Sequence, residues 1–287
     1  MLLLGLLIPS AMWTAWHARK SVDPVRNRED AIACMSLETL EAYRNEAVTD
    51  GFAAMHPLPK ESGEANRSGK MIRFEVEDGQ QANGYLVASK RKSDRWLIVI
   101  QEWWGLNDNI RDEADKYHRD LGDMNVLAVD MYDGRVASTP DSAMRIMRSV
   151  DMGRLSAIIK GAIAYAGPKA GIYSVGWCFG GMWSLQTAII AGARSKGTVM
   201  FYGRPESNPT KLATIESDVL GFFGNRDQSP SPALVNEFER NMQAAGKKLT
   251  VHRYEAGHGF ANPSNPNFNK EAAEDAYSKA IAFLKAH

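Results

Sequence analysis

Residues 174–181 have the spacing of a nucleophile at a tight turn between a strand and a helix. They read SVGWCFGG, with Cys178 two residues after Gly176 and two before Gly180. This is the G-x-nucleophile-x-G pattern with cysteine in the serine position. Side chains at both flanking positions would collide in such a turn, so glycine suits them. Cys178 would then lie at a helix N-terminus, where N–H groups and the helix dipole favour a thiolate.

The same pattern has a second interpretation, a buried structural cysteine in a glycine-rich turn, because free cysteines are usually buried and inert. As a nucleophile, Cys178 would be followed by Phe179, whose backbone N–H is placed to donate to an oxyanion. The motif by itself leaves the two interpretations nearly balanced. Residues elsewhere in the chain favour the nucleophile.

A thiol nucleophile needs a base, and the base needs a group that orients it. In enzymes with this turn the chain order is nucleophile, acid, histidine. Asp227 follows the predicted strand 218–224, and His258, flanked by glycines, follows the predicted strand 249–254. Both lie at strand carboxyl ends, where functional groups of parallel sheets collect. A solvated turn aspartate and a surface histidine are the alternative interpretations.

Position along the chain favours His258 over the other histidines, because a loop residue can approach Cys178 more freely than a helix or strand residue. The others lie in the N-terminal extension (His17, His56), on a predicted helix (His118), in a predicted strand (His252) and at the C terminus (His287).

The loop after the predicted strand 96–101 reads QEWWGLN and should supply a second oxyanion donor. Glu102 lies there between an apolar strand and the pair Trp103 and Trp104. Burial at this place would raise its pKa and suit it to proton transfer. The tryptophans are also compatible with core packing or with a lid over a pocket.

Hydrophobic patterning predicts the elements that position these residues. Strand and helix patterns alternate after an opening hairpin, which favours an α/β fold with a mostly parallel central sheet, helices on both faces and an antiparallel edge. The predicted strands are 71–78, 82–88, 96–101, 125–130, 171–176, 198–202, 218–224 and 249–254, and the predicted helices are 109–121, 142–165 (two helices, or one interrupted by Gly153), 181–191, 232–245 and 270–286.

Composition limits the function classes. The 287 residues carry 34 basic and 34 acidic side chains, so neither net charge nor a basic run indicates nucleic-acid binding. Two cysteines, Cys34 and Cys178, exclude a disulfide framework and a thiolate metal cage, and the motif around Cys178 argues against a single bridge. No dinucleotide, Walker or HExxH pattern is present. We expect no cofactor and no metal, a small-molecule substrate and a monomer.

The N-terminal residues differ in composition from the rest of the chain. Residues 1–16 are apolar and basic residues follow them, but the run is shorter than the roughly 20 residues of a membrane-spanning helix. No basic residue precedes the run and no clear cleavage site follows it. An imperfect export signal or anchor, an interfacial segment, a start within a longer leader and a helix packed on the domain all fit. We favour an extracytoplasmic or membrane-associated location over a cytoplasmic one.

The remaining chain divides into residues 21–70, a predicted linker with one short helix capped at Ser36, and residues 71–287, the predicted catalytic domain. Five motifs in this domain, QEWWGLN, DMYDGR, GWCFGG, GNRD and GHGF, resemble the dienelactone hydrolase family of α/β-hydrolases in type and order. The resemblance implies an α/β-hydrolase fold and cleavage of an ester or lactone.

The resemblance also implies roles for individual residues. The family's triad falls on Cys178, Asp227 and His258. A second acid, which takes the thiol proton when substrate arrives, falls on Glu102. The oxyanion donors would be the backbone N–H groups of Trp103 and Phe179.

The predicted substrate-binding residues match the family only in part. Arg135 resembles the arginine with which family members bind the substrate carboxylate. Trp104 is a further predicted substrate contact. Members acting on dienelactone carry a second arginine four residues after the histidine, where this chain has Asn262. Asparagine lacks a fixed positive charge, so the substrate should be less anionic or held by Arg135 alone. That arginine also helps to fix the second acid in the family, which leaves the resting position of Glu102 open.

Two classes of function follow. The first is a cysteine-dependent ester or lactone hydrolase, and the same machinery could perform acyl transfer. The second is a non-catalytic α/β-hydrolase scaffold that binds a ligand or partner at the cell envelope. The intact set of acid and base residues favours the enzyme.

Overall fold

The computed structural model describes residues 35–47, 49–59, 67–77 and 79–287. The apolar segment 1–20 and Cys34 lie outside the described residues, and so do the predictions that concern them. Within the described part, Cys178 is a free cysteine. In that part of the chain, no helix combines the length and the apolar character that crossing a bilayer requires.

An eight-stranded sheet forms the centre of the molecule, in the order β1-β2-β4-β3-β5-β6-β7-β8. Strand β2 pairs antiparallel with β1 and β4, and all other pairs are parallel. The predicted α/β-hydrolase architecture with an antiparallel edge is therefore confirmed. The strands are β1 (Lys70–Glu75), β2 (Gln81–Val87), β3 (Arg95–Ile100), β4 (Asn125–Val129), β5 (Gly171–Trp177), β6 (Ser195–Phe201), β7 (Val219–Gly224) and β8 (Leu249–Tyr254).

Nine α-helices connect or flank these strands within the described ranges. Residues 142–165, predicted as two helices or one interrupted helix, belong to two helices. The break falls at Val150 and Asp151 instead of Gly153, because the Asp151 side chain caps the second helix. The helices are α1 (Leu37–Glu46), α2 (Asp50–Met55), α3 (Asp108–Leu121), α4 (Pro140–Ser149), α5 (Met152–Tyr165), α6 (Phe179–Ala191), α7 (Pro209–Leu212), α8 (Pro232–Ala244) and α9 (Lys270–Ala286).

The central strands are mostly apolar because helices cover both faces of the sheet. Leu97 to Ile100 of β3 and Val126 to Val129 of β4 are completely buried. Strand β5 lies beside β3 in register, so that Ile100 is opposite Gly176. The loops that carry Glu102 and Cys178 therefore begin side by side at the same edge of the sheet.

Residues 35–47 and 49–59, called the covering segment here, pack on the domain where the sequence predicted a linker. They form two helices instead of one, and Ser36 caps α1 as predicted, by accepting a hydrogen bond from the Thr39 N–H. Ser36 and Thr39 also donate to the buried Glu206 carboxylate at 2.5 and 3.0 Å. These bonds join the covering segment to the loop after β6.

Candidate active site

Cys178 lies in the turn between β5 and α6 in a conformation that L-residues rarely adopt, with φ 55° and ψ −117°. The turn is as tight as the sequence predicts. A Cβ atom on Gly176 would lie 2.2 Å from the Gly180 carbonyl oxygen, and one on Gly180 would lie 2.2 Å from the Ile100 carbonyl oxygen. Glycine is needed at both positions for steric reasons.

The turn leaves Cys178 at the N-terminus of α6. The first helical hydrogen bond runs from Met182 N–H to the Cys178 carbonyl, so the N–H of Phe179 has no partner within the helix. Cys178 is 3% exposed. Burial raises the pKa of the thiol, against the lowering effects of His258 and of the Phe179 N–H. The resting group is therefore a thiol that must lose a proton before it can attack.

His258 and Asp227 are joined at the next two strand ends. The Nδ1–H of His258 donates to Asp227 Oδ2 at 2.9 Å, and Asp227 Oδ1 accepts from the Ser229 N–H at 2.8 Å. Burial opposes the charged form of His258, but the Asp227 carboxylate and, to a smaller extent, Cys178 outweigh it and hold the pKa of His258 well above its usual range. The Nε2 atom of His258 is buried and has no hydrogen-bond partner among the described residues.

Glu102 is buried beside this pair. Burial raises the pKa of its carboxyl to about 7, although His258, Asn262 and Tyr202 act in the opposite direction. Asn262 Nδ2 donates to Oε2 at 2.7 Å, and the Tyr202 hydroxyl donates to Oε1 at 3.5 Å. The structure thus places Asn262, a predicted substrate contact, on the carboxylate whose resting position the sequence left open.

Trp103 and Trp104 are buried and pack edge to face with ring centroids 5.1 Å apart. The Trp103 indole also packs on the rings of Phe52 and His56 of the covering segment, with ring centroids 5.2 and 4.8 Å apart. The backbones of Trp103 and Phe179 follow the adjacent strands β3 and β5, which is where two oxyanion donors would have to lie. Their role as donors stays a prediction.

Arg135 lies apart from this group. Its guanidinium donates to the Tyr132 carbonyl at 2.9 Å and to Ser149 Oγ at 2.7 Å, and it lines a cavity with Asp133 and Lys160. Glu102 and Asn262 line a different cavity of about 360 Å³. The structure does not bring Arg135 to the cavity beside Glu102, and its predicted contact with a substrate carboxylate stays a prediction.

His56 is a member of the site that the sequence does not reveal. Its Nε2 lies 3.0 Å from Cys178 Sγ, and its Nδ1 lies 2.7 Å from the Phe52 carbonyl oxygen. The ring stacks on Phe52 at 4.1 Å and lies 4.7 Å from the ring of His258. No local pattern around residue 56 signals this role, because the contact joins residues 122 positions apart.

Tyr202 is a second unpredicted member. It follows β6 with φ 37°, and its ring lies 5.0 Å from that of His258. The backbone conformation turns the chain so that the hydroxyl reaches Glu102. A tyrosine before a glycine at a strand end, as in the sequence FYG, is too common to have indicated this position.

His56, Cys178 and His258 are the described residues best placed to hold a metal ion, with ligand atoms within 4.8 Å of one another. A tetrahedral zinc with Zn–N and Zn–S bonds of about 2.0 and 2.3 Å would separate a nitrogen from a sulfur by about 3.5 Å. The observed 3.0 Å between His56 Nε2 and Cys178 Sγ is shorter and suits a shared proton. The arrangement therefore fits proton transfer better than metal ligation.

Comparison with known proteins identifies the family. Residues 82–287 match the model of the dienelactone hydrolase family. The chain belongs to this family. It is accordingly a hydrolase of the carboxylic ester class with an α/β-hydrolase fold. The covering segment precedes the matched region.

Relatives and solved structures agree with this assignment. A carboxymethylenebutenolidase of Pseudomonas putida is 30% identical over 224 residues, which cover 70% of this chain and 90% of that protein. A putative carboxymethylenebutenolidase of Saccharolobus solfataricus is 29% identical, covering 74% and 96%. A putative dienelactone hydrolase from Klebsiella pneumoniae shares the fold, with a TM-score of 0.66 at 19% identity, covering 76% of this chain and all of that one.

Proposed function

We propose that the chain cleaves a small carboxylic ester or lactone through a covalent acyl-enzyme on Cys178. The observation that carries the proposal is the position of the thiol, at a strained strand-to-helix turn beside the buried pair His258 and Asp227. Relatives named carboxymethylenebutenolidase support a lactone or ester as the substrate class. The intact acid and base residues argue against a non-catalytic scaffold.

The reaction has two stages on this proposal. In acylation the thiolate attacks the acyl carbon, the carbonyl electrons move to oxygen, and the N–H groups of Phe179 and Trp103 stabilise the oxyanion. Collapse of this intermediate breaks the ester C–O bond, the leaving alkoxide takes a proton from His258, and the thioester remains. In deacylation His258, oriented by Asp227, takes a proton from water, and the resulting attack releases the acid and the thiolate. The family resemblance implies that Glu102 takes the thiol proton, with His258 as the second candidate base.

The cavity beside Glu102 favours a substrate without a carboxylate. The side chains that line it include three carboxylates and, among the described residues, neither arginine nor lysine. Asp112 pairs with Arg67 and Glu113 pairs with Lys116, so their charges are partly compensated. An anionic substrate would still lack a cationic partner there, because Asn262 offers only a neutral amide where an arginine would supply charge. Its lining consists of Glu102, Asn107, Asn109, Ile110, Asp112, Glu113, Trp177, Ala261, Asn262, Pro263 and Ser264.

Substitution of the nucleophile tests the proposal. Cys178→Ala should lower kcat/KM for p-nitrophenyl acetate by at least about 10³-fold, since loss of a nucleophile removes the covalent route. Mass spectrometry of the quenched wild-type protein should show one acyl adduct on the peptide that carries Cys178. Undiminished hydrolysis by Cys178→Ala would contradict the proposal. A competing alcohol acceptor in the same assay separates hydrolysis from acyl transfer.

A substrate panel tests the preference for neutral substrates. We expect neutral lactones and esters to be cleaved with a higher kcat/KM than the matched carboxylated compounds. A strong preference for carboxylated substrates that survives Arg135→Ala would overturn this part of the proposal and also the predicted role of Arg135.

A further inference from the structure

The covering segment supplies a side chain that is hydrogen-bonded to the nucleophile. His56 Nε2 lies 3.0 Å from Cys178 Sγ, within hydrogen-bond distance of the thiol. His258 also acts on the thiol and opposes the rise in its pKa. Glu102 accepts from Asn262 and Tyr202 instead. His56 is only 4% exposed, so this contact lies in the interior.

The tautomer of His56 follows from its second contact. The Phe52 carbonyl can only accept, so the Nδ1 atom 2.7 Å away must carry the proton. In a neutral ring Nε2 is then an acceptor, and the thiol of Cys178 must donate to it. Burial, helped by the positive charge of His258, holds the pKa of His56 well below its usual range, which keeps the ring neutral.

The two histidines beside Cys178 therefore differ. Asp227 favours the protonated form of His258, while a backbone carbonyl, which has no net charge, supports His56. Groups whose environments separate their pKa values in this way are suited to opposite roles as acid and base. On this division of roles His258 is the acid and His56 is the base for the thiol proton.

We propose that His56 is a catalytic residue of this hydrolase, the base that takes the proton of Cys178 during acylation. The inference rests on the proposed function. The S–H bond breaks, its electron pair stays on sulfur and its proton moves to His56 Nε2. The thiolate then attacks the acyl carbon, and His258 gives its Nε2 proton to the alkoxide as the ester C–O bond breaks.

Deacylation restores both histidines. The now neutral His258 takes a proton from the attacking water, the C–S bond breaks, and the departing thiolate recovers its proton from His56. Each proton that leaves a residue in the first stage is replaced in the second. The net change is one water consumed and one acyl bond cleaved.

A fixed position of the covering segment is compatible with substrate entry. The lining of the cavity beside Glu102 comes from residues 102–113, Trp177 and residues 261–264. This lining contains no residue of the covering segment, so a substrate bound there would leave His56 in place on the thiol. The segment is anchored for such a role, since Glu46 pairs with Arg204 at 2.9 Å and the Met55 carbonyl accepts from Asn265 at 3.1 Å.

The pH behaviour of the site depends on every ionisable group that faces it. Cys178 and His258 face His56 directly. The groups that act on the thiol or on His258 are Glu102 from the loop after β3, Asp227 from the loop after β7, Tyr43 from α1, Tyr132 from the loop after β4 and Tyr202 from the loop after β6.

The test compares His56→Gln with His118→Gln in the full chain. His118 is a matched control because its Nδ1 also contacts a backbone carbonyl, that of Met124 at 3.0 Å, on a helix outside the site. Glutamine keeps hydrogen-bonding groups but accepts no proton at these pH values. The readouts are kcat/KM for p-nitrophenyl acetate and the rate of alkylation by iodoacetamide, each from pH 6 to 10.

We expect His56→Gln to lower kcat/KM at pH 7.5 by about 10²-fold, in the range of a lost general base. The remaining activity should rise about tenfold per pH unit, because hydroxide must then generate the thiolate. Wild-type protein and His118→Gln should give level profiles above pH 7.5. Imidazole added to His56→Ala should restore part of the activity, which a purely structural role would not allow.

Three results would overturn the inference. Unchanged activity in His56→Gln would show that the base lies elsewhere, and increased activity would show that the covering segment blocks the site. An equal loss at every pH without imidazole rescue would indicate a structural role, because partial unfolding scales the profile without changing its shape. Activity that survives Cys178→Ala would instead contradict the proposed function.

Discussion

The domain and the covering segment both bring a histidine to Cys178, but they support it differently. The domain holds His258 through the Asp227 carboxylate at 2.9 Å. The covering segment holds His56 through the Phe52 carbonyl at 2.7 Å and stacks it on the Phe52 ring. The first support carries a full negative charge and the second only a dipole.

This difference shows how one protein gives two chemically identical rings different protonation states. A carboxylate partner raises the pKa of His258, whereas burial without an ionised partner lowers that of His56. The charge of one ring further disfavours charge on the other, since the centroids are 4.7 Å apart. Changes to either support should therefore make the rings more alike, with effects that decrease as the change moves away from Cys178.

The largest effect should come from removing the charge that distinguishes His258. Asp227→Asn should lower kcat for p-nitrophenyl acetate by about 10³ to 10⁴-fold, because a neutral amide neither stabilises the imidazolium nor fixes its tautomer. Steady-state kinetics with a parallel urea unfolding curve separates this loss from misfolding. A loss below tenfold in folded protein would mean that the two histidines do not differ as described.

Glu102 should show a large effect on stability that depends on pH. Its pKa is about 7 in the folded protein against 4.5 for the free group, so the folded state binds the proton more tightly. This contribution to stability is present below pH 4.5 and is lost as the pH rises through 7. Between pH 5.5 and 8.5 the wild-type protein should therefore lose about 2 kcal/mol relative to Glu102→Gln.

Urea unfolding of both proteins at the two pH values measures this difference directly. Other titrating groups are common to both proteins and cancel. If the two free energies of unfolding change in parallel, Glu102 is not a carboxylate with a raised pKa.

Asn262 should have a smaller effect, exerted through Glu102. Asn262→Ala removes the 2.7 Å bond to the carboxylate, which favours the charged form, so the pKa of Glu102 should rise. Any limb of the kcat/KM profile that reports Glu102 should move to higher pH, by up to about one unit for a lost bond of this kind. Ser264→Ala is the control, because Ser264 bonds only to Asn262 Oδ1 in this group and should shift the limb less.

The anchor of the covering segment should have the smallest effect. Ser36→Ala removes the cap of α1 and a bond to Glu206, at a cost of about 1–2 kcal/mol in stability. Activity should fall a few-fold, less than in His56→Gln, because Thr39 still bonds to Glu206. Thr49→Ala removes a cap of α2 without a contact to the domain and is the matched control. Equal proteolysis of the segment in both variants would argue against Glu206 as its anchor.

Much of the fold could be predicted because its signals are local. Strand β8 and helix α9 have the predicted bounds, since period and flanking turns mark both ends. The start of α6 was predicted two residues late, at Gly181 instead of Phe179, because the strained turn at Cys178 compresses the link between strand and helix. Such compression depends on backbone contacts with β3, which the local sequence does not show.

The sequence by itself determined the type of sheet, the turn at Cys178 and the order of nucleophile, acid and histidine, because glycine spacing and hydrophobic period act over a few residues. Only the tertiary structure decided that His56 contacts the thiol and that Asn262 holds Glu102. These contacts join residues 122 and 160 positions apart. They depend on the packing of the covering segment, which bonds to the buried Glu206, and on the approach of the loop after β8 to the loop after β3. The sequence around His56, a single histidine before a proline, gives no indication of its contact with Cys178. The cysteine identified first from its glycines thus has its base supplied, on our proposal, by a segment that the sequence presents as a linker.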